Sequence, residues 1–169
     1  MLPQIQHRNN ASAIQDKDVP KEVLDRLLRA GRLSPSIKNR QPWRFIAIND
    51  IQKKLELQEA CYGDRRCKKG ALIAACYATS DYEMPNGFSA NLFDLGLASG
   101  QIMLQAEKEG LAAESLTSFS QSQAGRILTL PHGMYIAAII LLGYPAEKEK
   151  RDMSSKCLPS QRTINYNSW

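Results

Sequence analysis

Two apolar runs set the terms for this chain. ALIAACYAT (Ala71 to Thr79) and YIAAIILL (Tyr135 to Leu142) carry no charged residue and no polar alternation. The second is the longest apolar stretch, far short of the ~20 residues that span a bilayer. Runs of this length, bounded by turn residues, read as buried strands. WRFIAIN (Trp43 to Asn49) is apolar on both faces apart from Arg44, so it too is expected to be mostly buried. AAESLTSF (Ala112 to Phe119) makes a fourth strand.

Helical spacing fills the gaps between these strands. From Asp18, DVPKEVLDRLLRAGRL brings Val23, Leu24, Leu27 and Leu28 to one face. Pro20 falls in its first turn, where a missing N–H costs nothing, and Gly31 with Ser34-Pro35 closes it. Ile51 to Ala60 repeats the spacing. Asp94 opens DLGLASGQIMLQAEKEG, with Gly110 as C-cap, and a short helix is expected around Ala124 to Leu130. Gly96 and Gly100 lie one turn apart with Ser99 between them. Each glycine costs ~1 kcal/mol of helix propensity, so something should approach closely there. Tight packing within one subunit and a crossing with a second copy both fit. The alternation of helix and strand, followed by a polar tail from Ala146 to Trp169, describes one α+β or α/β domain of 169 residues. That tail ends INYNSW, whose large apolar groups are expected to dock on something.

The charge balance is +5, modest and scattered, which favours an anionic small ligand over a nucleic-acid groove. Cys61, Cys67, Cys76 and Cys157 form no CxxC pair, and His7 and His132 are the only histidines, so a structural zinc site is not expected. No signal peptide is visible, and the expectation is a cytoplasmic protein with reduced thiols and no membrane contact. GxSxG, HExxH, the Walker loop and GxGxxG are absent from the text. His132, in LPHG, reads as a turn residue. Cys61 and Cys67 bracket GDRR and read as an exposed loop pair, and Glu114 as an outward, solvated side chain. Two segments are more unusual. HRNNAS (His7 to Ser12) gathers a cation with amide and hydroxyl groups, and SPSIKNRQPWRF (Ser34 to Phe45) sets Ser36, Lys38, Asn39, Arg40 and Gln41 between a helix and a strand. Such a loop can present donors to an anionic or polyhydroxyl ligand, and it can equally be an ordinary polar connection.

VPKEVLDRLLRAGRLSPSIKNRQPWRFIAIND resembles the opening of the nitroreductase-like flavoproteins, with SPSxxNxQPW as its most specific part. DLGLASGQIMLQAEKEGL is similar to the central helix of that family, LTLPHGMYIAAIILLGYP to its last core strand, and LPSQRTINYNSW to its C-terminal extension. The resemblance runs from about Arg8 to Trp169. It implies a three-layer α+β fold with a central mixed, mostly antiparallel sheet flanked by helices. It also implies an intertwined homodimer, with 146–169 docking on the partner and FMN bound at the interface. Members pass electrons from NADH or NADPH to nitroaromatics, quinones or related electrophiles in a ping-pong cycle, and the flavin carries the chemistry. On that reading no protein side chain need be catalytic, and the partners are a second copy and a small electrophile, without nucleic acid.

Carried over by position, the resemblance puts Arg8 at the FMN phosphate and Asn9, Asn10 and Ser12 in the next phosphate and ring slots. Pro35, Ser36, Ile37 and Asn39 match the loop laid along the flavin by the partner subunit, with Gln41 nearby. Ser115, Leu116, Thr117 and Ser118 occupy the strand end whose backbone faces the flavin ring. Departures are concentrated at the phosphate end. Asn9, Ser12 and Cys157 stand where basic residues are usual, and Ser118 replaces a glycine. Each lost charge-assisted hydrogen bond costs ~1.5–3 kcal/mol, so two losses weaken binding ~10²-fold unless Lys156, Arg151 or Lys150 offset them. A relative that keeps the fold and the dimer but only binds flavin, or serves as an interaction protein, is the alternative.

Overall fold

A computed structural model describes residues 2–6, 10–79, 84–146 and 157–167. A short helix α1 (Pro3–Gln6) precedes α2 (Lys21–Arg32), β1 (Trp43–Ile48), α3 (Ile51–Ala60), β2 (Ala71–Ala78), α4 (Ala90–Lys108), β3 (Ala112–Leu116), α5 (Gln121–Ile127) and β4 (Met134–Gly143). The strands form one sheet in the order β1-β2-β4-β3, and every pairing is antiparallel. The mostly antiparallel sheet expected from the resemblance is thus wholly antiparallel among the described residues.

Period-two geometry divides the apolar runs between two helical layers. Ala71 and Ile73 of β2, with Ile140 and Leu142 of β4, face Leu24 and Leu27 of α2 and Ile102 and Ala106 of α4. Leu72, Ala74 and Cys76, with Ile139 and Leu141, face Leu57 and Ala60 of α3 and Ala124 of α5. Burial on both sides is why these two strands show no polar alternation. The register slips between Ala75 and Cys76, which pair with Ala138 and Ile136, so β4 carries an extra residue at Ala137. That bulge lets Ile136 and Ile139 share one face although they are three apart.

Several boundaries and exposures depart from the sequence reading. β1 is an edge strand, buried at Trp43 and Ile48 but exposed at Arg44 and Ala47, because only β2 pairs with it. α4 begins at Ala90, four residues before Asp94, since the Ser89 side chain accepts the Leu92 N–H. β3 stops at Leu116 rather than Phe119, and α5 starts at Gln121, capped by Ser120, and ends before a left-handed Thr129. Gly31 does not close α2. It lies buried inside the helix, where an added Cβ would stand 2.8 Å from Ile102 Cδ1, and the lack of one lets α2 seat on α4. Arg26 grips Glu109 through two nitrogens, at 2.8 and 2.7 Å, and ties the middle of α2 to the C-terminal end of α4. Among the described residues no helix is long and apolar enough to cross a membrane.

Gly70 opens β2 at φ +53, and a Cβ there would come within 2.1 Å of the Leu142 carbonyl oxygen. Its own carbonyl accepts the buried Lys54 ammonium at 2.8 Å. Gly63 is also left-handed, at φ +81, but a Cβ would meet nothing within 4 Å. Chemical denaturation should therefore separate the two substitutions. Gly63→Ala is expected to lose about 1 kcal/mol from backbone conformation alone. Gly70→Ala adds a steric overlap and should lose at least about 3 kcal/mol. Equal losses would contradict this reading of the β2 start.

Candidate functional site

The loop between α2 and β1 is held in an unusual shape. Lys38 and Asn39 both have φ 54 and Gln41 has φ 50, three left-handed residues of which none is glycine. Each such residue costs of order 1 kcal/mol or more, and the conformation persists only where its surroundings over-determine it. Here the fixing bonds are explicit. The Ile37 N–H donates to the two carboxylate oxygens of Asp94, at 3.2 and 3.1 Å. The Gln41 N–H donates to Ser36 Oγ at 3.0 Å, and the Gln41 amide to Asn39 Oδ1 at 3.1 Å. Asp94 is 1% exposed on α4, so its carboxylate needs that donor. Pro35, Asn39 and Gln41 remain exposed, with Ser36 and Ile37 half-buried, on an otherwise rigid turn.

The N-terminal segment is fastened at a different place. Ala11 and Ile14 are buried in the layer under α3 and α5, while Asn10 and Ser12 stay exposed. Gln15 donates its N–H to the Tyr144 carbonyl and Ala146 to that of Ala13, at 2.8 and 3.1 Å. Arg66 is the hub. It forks onto Asp64, with its shortest bond 2.7 Å, and its Nη1 donates to Glu114 Oε2 at 2.9 Å and to the Ala11 carbonyl at 3.2 Å. The bond to Asp64 holds the Arg66 guanidinium above its ordinary pKa, and the bond from Arg66 holds the Asp64 carboxyl below the usual carboxylate range. Glu114 is therefore a half-buried ion-pair member and not the solvated side chain expected from sequence. Beside it on β3, Ser115 is exposed and donates to Met103 Sδ at 3.6 Å, Leu116 is buried, and Thr117 and Ser118 are exposed.

Arg66 thus brings Asn10 and Ser12 into one cluster with Glu114 and Ser115, but not with the loop. Loop and cluster touch α4 at Asp94 and Met103, nine residues apart, or about 14 Å along a helix. Arg8, Asn9 and Lys156 lie outside the described residues. A cavity of about 830 Å³ between α5 and the start of β4 is lined by none of the expected residues. His132 lines it and is exposed in its turn. Cys61 and Cys67 are both buried, not an exposed loop pair. The hydrogen bond between them pushes the Cys67 thiol up and lowers that of Cys61. Burial alone pushes Cys76 up to about 11. Sequence reasoning passed over Asp94 and Arg66. A carboxylate inside an otherwise apolar helical stretch, and an arginine two residues from an aspartate, were the available signals.

The model of the nitroreductase family matches residues 7–70. A protein of Methanothermobacter thermautotrophicus, provisionally named NADH dehydrogenase/NAD(P)H nitroreductase, is 30% identical over 152 residues, covering 87% of this chain and 78% of that one. The chain belongs to the nitroreductase family. An NADH dehydrogenase of Thermus thermophilus is 27% identical, covering 86% of this chain and 85% of its own. A crystal structure of a nitroreductase family protein from Clostridium difficile superposes with a TM-score of 0.87 at 24% identity, over 98% of this chain and 97% of that one, a likeness of fold. Membership makes the protein an oxidoreductase.

Two substitutions test the site's scaffolding. Asp94→Ala leaves the Ile37 N–H without its acceptor and should cost about 1–3 kcal/mol by urea denaturation, with faster amide exchange at Ile37 and Gln41. A loss within experimental noise would contradict the tether. The depressed Asp64 pKa contributes stability that is complete above its unfolded pKa of about 3.9 and is lost as pH falls through the folded value. Asp64→Asn should therefore flatten the acid limb of the stability–pH curve below about pH 4, and an unchanged limb would refute the Arg66–Asp64 pairing.

Proposed function

We propose that this nitroreductase family member is an FMN-dependent NAD(P)H oxidoreductase acting as a homodimer on nitroaromatic, quinone or related electrophiles by a ping-pong cycle. The observation that carries the proposal is the strained, Asp94-tethered loop, a rigid rack of amide and hydroxyl groups at the sequence SPSIKNRQP. Strain of this kind, over-determined by buried bonds, gathers where a ligand is held. Its donors suit a ribityl chain and the polar edge of a flavin ring. Asn10 and Ser12 would serve the phosphate end together with Arg8 and Lys156. The β3 end, Ser115 to Ser118, lies at a sheet edge paired only with β4, so alternate N–H groups of that strand have no strand partner on the other side. Bound FMN supplies the redox chemistry, with NADH or NADPH as donor and the electrophile as acceptor. The protein's part is to position, to exclude water and to admit the acceptor.

The dimer is supported by what α4 leaves uncovered. Phe93 is 55% exposed, Leu92 and Leu97 lie beside it on the surface, and a Cβ at Gly96 or Gly100 would meet nothing within 4 Å. Close packing within the subunit therefore does not explain the two glycines. A crossing with a second copy does, and it would also bring the loop of one chain to the Arg66 cluster of the other. Leu158, Ile164 and Tyr166 in the tail are exposed as well, apolar groups suited to a partner's surface. On this reading 146–169 is an extension of a single domain, docked on the neighbouring subunit.

Purified protein should show a flavin band near about 450 nm, or acquire one on titration with FMN to one per subunit, and should sediment at twice the 18.9 kDa chain mass. Gly96→Leu should leave the fold intact, since among the described residues nothing lies within 4 Å of a Cβ there, yet yield a monomer that no longer retains flavin. A colourless protein without FMN affinity would overturn the proposal, and a Gly96→Leu protein that stays dimeric would overturn the interface. Flavin binding with no NADH or NADPH oxidation in the presence of an electrophile would favour a flavin-binding or interaction protein instead.

A further inference from the structure

Beside the loop lies a group of cations that the candidate site does not use. A hollow of about 490 Å³ opens between the last turns of α2, the end of the loop and the start of β1. Leu28 and Phe45 give it an apolar wall, Arg32, Arg40 and Arg44 surround it with guanidinium groups, and Gln41 joins it to the loop. None of its described lining residues is a carboxylate. An adjoining cavity shares Leu28 and Arg32 and does contain Asp25, but that carboxylate is bonded to Lys21 at 2.6 Å. Arg44 is fixed in place, its Nη1 donating to the Trp43 carbonyl at 2.7 Å and to that of Gln41 at 3.4 Å. Both bonds use one nitrogen of a fork with five N–H donors. Among the described residues neither Arg32 nor Arg44 is ion-paired with a carboxylate.

The like charges of Arg32 and Arg44 on one concavity repel each other, and apolar walls concentrate their field. Planar guanidinium forks match the oxygens of a phosphate in pairs, and the volume falls in the range of small-molecule sites, about 300–1,000 Å³. We infer that this hollow binds phosphate oxyanions and, resting on the flavoenzyme reading above, that it takes the diphosphate of the nicotinamide dinucleotide. Gln41 gives the link. It lines the hollow, and its own N–H and amide bonds close the loop beside which the flavin would lie. A dinucleotide whose phosphates rest here has its nicotinamide within reach of that loop. The modest positive charge of the chain acquires a local use, and the donor is recognised without a glycine-rich nucleotide fingerprint.

Inorganic pyrophosphate is the probe, titrated calorimetrically into the purified protein with whatever flavin it holds. Saturable binding that weakens with added salt is expected. The Arg32→Gln/Arg44→Gln double variant should bind at least about tenfold more weakly, with melting temperature and flavin absorbance unchanged. Arg32→Gln alone, at an exposed helix position, gives the same reading if the double variant folds poorly. Absence of binding to the wild type, or equal binding by the variants, overturns the site. Steady-state oxidation of NADPH then separates the sources. A KM for the donor raised at least about tenfold with kcat unchanged assigns the phosphate to the donor. An unchanged KM in a variant that has lost pyrophosphate overturns that assignment and leaves a site for free phosphate. Failure of the flavin reading shows instead as missing flavin absorbance, independently of the heat of pyrophosphate binding.

Discussion

The carboxylate of Asp94 sits almost completely buried on α4, and the Ile37 N–H reaches both of its oxygens. A buried carboxylate without a donor costs several kcal/mol, so α4 and the loop hold each other in place. The left-handed turns at Lys38, Asn39 and Gln41 exist because that tether, the Ser36 hydroxyl and the flanking Pro35 and Pro42 leave no looser arrangement. The loop is therefore rigid before any ligand arrives. Rigid donors lose less entropy on binding, which is how a loop of neutral side chains can contribute to holding a cofactor.

α4 has three faces with three different surroundings. Its inner face, Leu95, Ala98, Ile102 and Ala106, closes the core over β2 and β4. Its turns at Asp94 and Met103 position the two groups of candidate residues about 14 Å apart. On its outer face Phe93 and Leu97 are exposed, and among the described residues nothing lies within 4 Å of a Cβ at Gly96 or Gly100. A helix apolar on nearly all sides belongs in an interior, and in the proposed dimer a second copy would supply the half of that interior the subunit lacks. Two separated groups of candidate residues and one exposed apolar face would have a common solution in the proposed symmetric pair, where each site would draw the loop from one copy and the Arg66 cluster from the other.

Local rules made most of the fold legible. The uninterrupted apolar runs at Ala71–Thr79 and Tyr135–Leu142 marked the two central strands, and the spacing of Leu24, Leu27 and Leu28 marked α2. WRFIAIN misled because an edge strand can be as apolar as a central one. Its exposure depends on where β1 falls in the sheet, which no local pattern records. Gly31 looked like a stop signal, yet it is the contact point of two helices, and only the neighbour makes that plain. At the site, SPSIKNRQPW pointed to the loop through likeness to a family, while the left-handed backbone and the role of Asp94 required three dimensions. Arg66 and Glu114 are 48 positions apart, so the ion pair that joins the N-terminal segment to β3 was invisible to any reading of neighbours.

The central claim is that each flavin site is completed across two chains, and subunit complementation tests it most directly. Asp94→Ala spoils the loop, and Arg66→Met spoils the cluster around Ala11 and Glu114, so each variant alone should retain little FMN. Unfolded together in equal amounts and refolded, they form mixed dimers in which one of the two sites receives an intact loop and an intact cluster. The account predicts that about a quarter of all sites regain flavin, the statistical yield of a two-fold dimer. No recovery above the separate variants would mean that each site is built within one chain, and the shared-site account would fall.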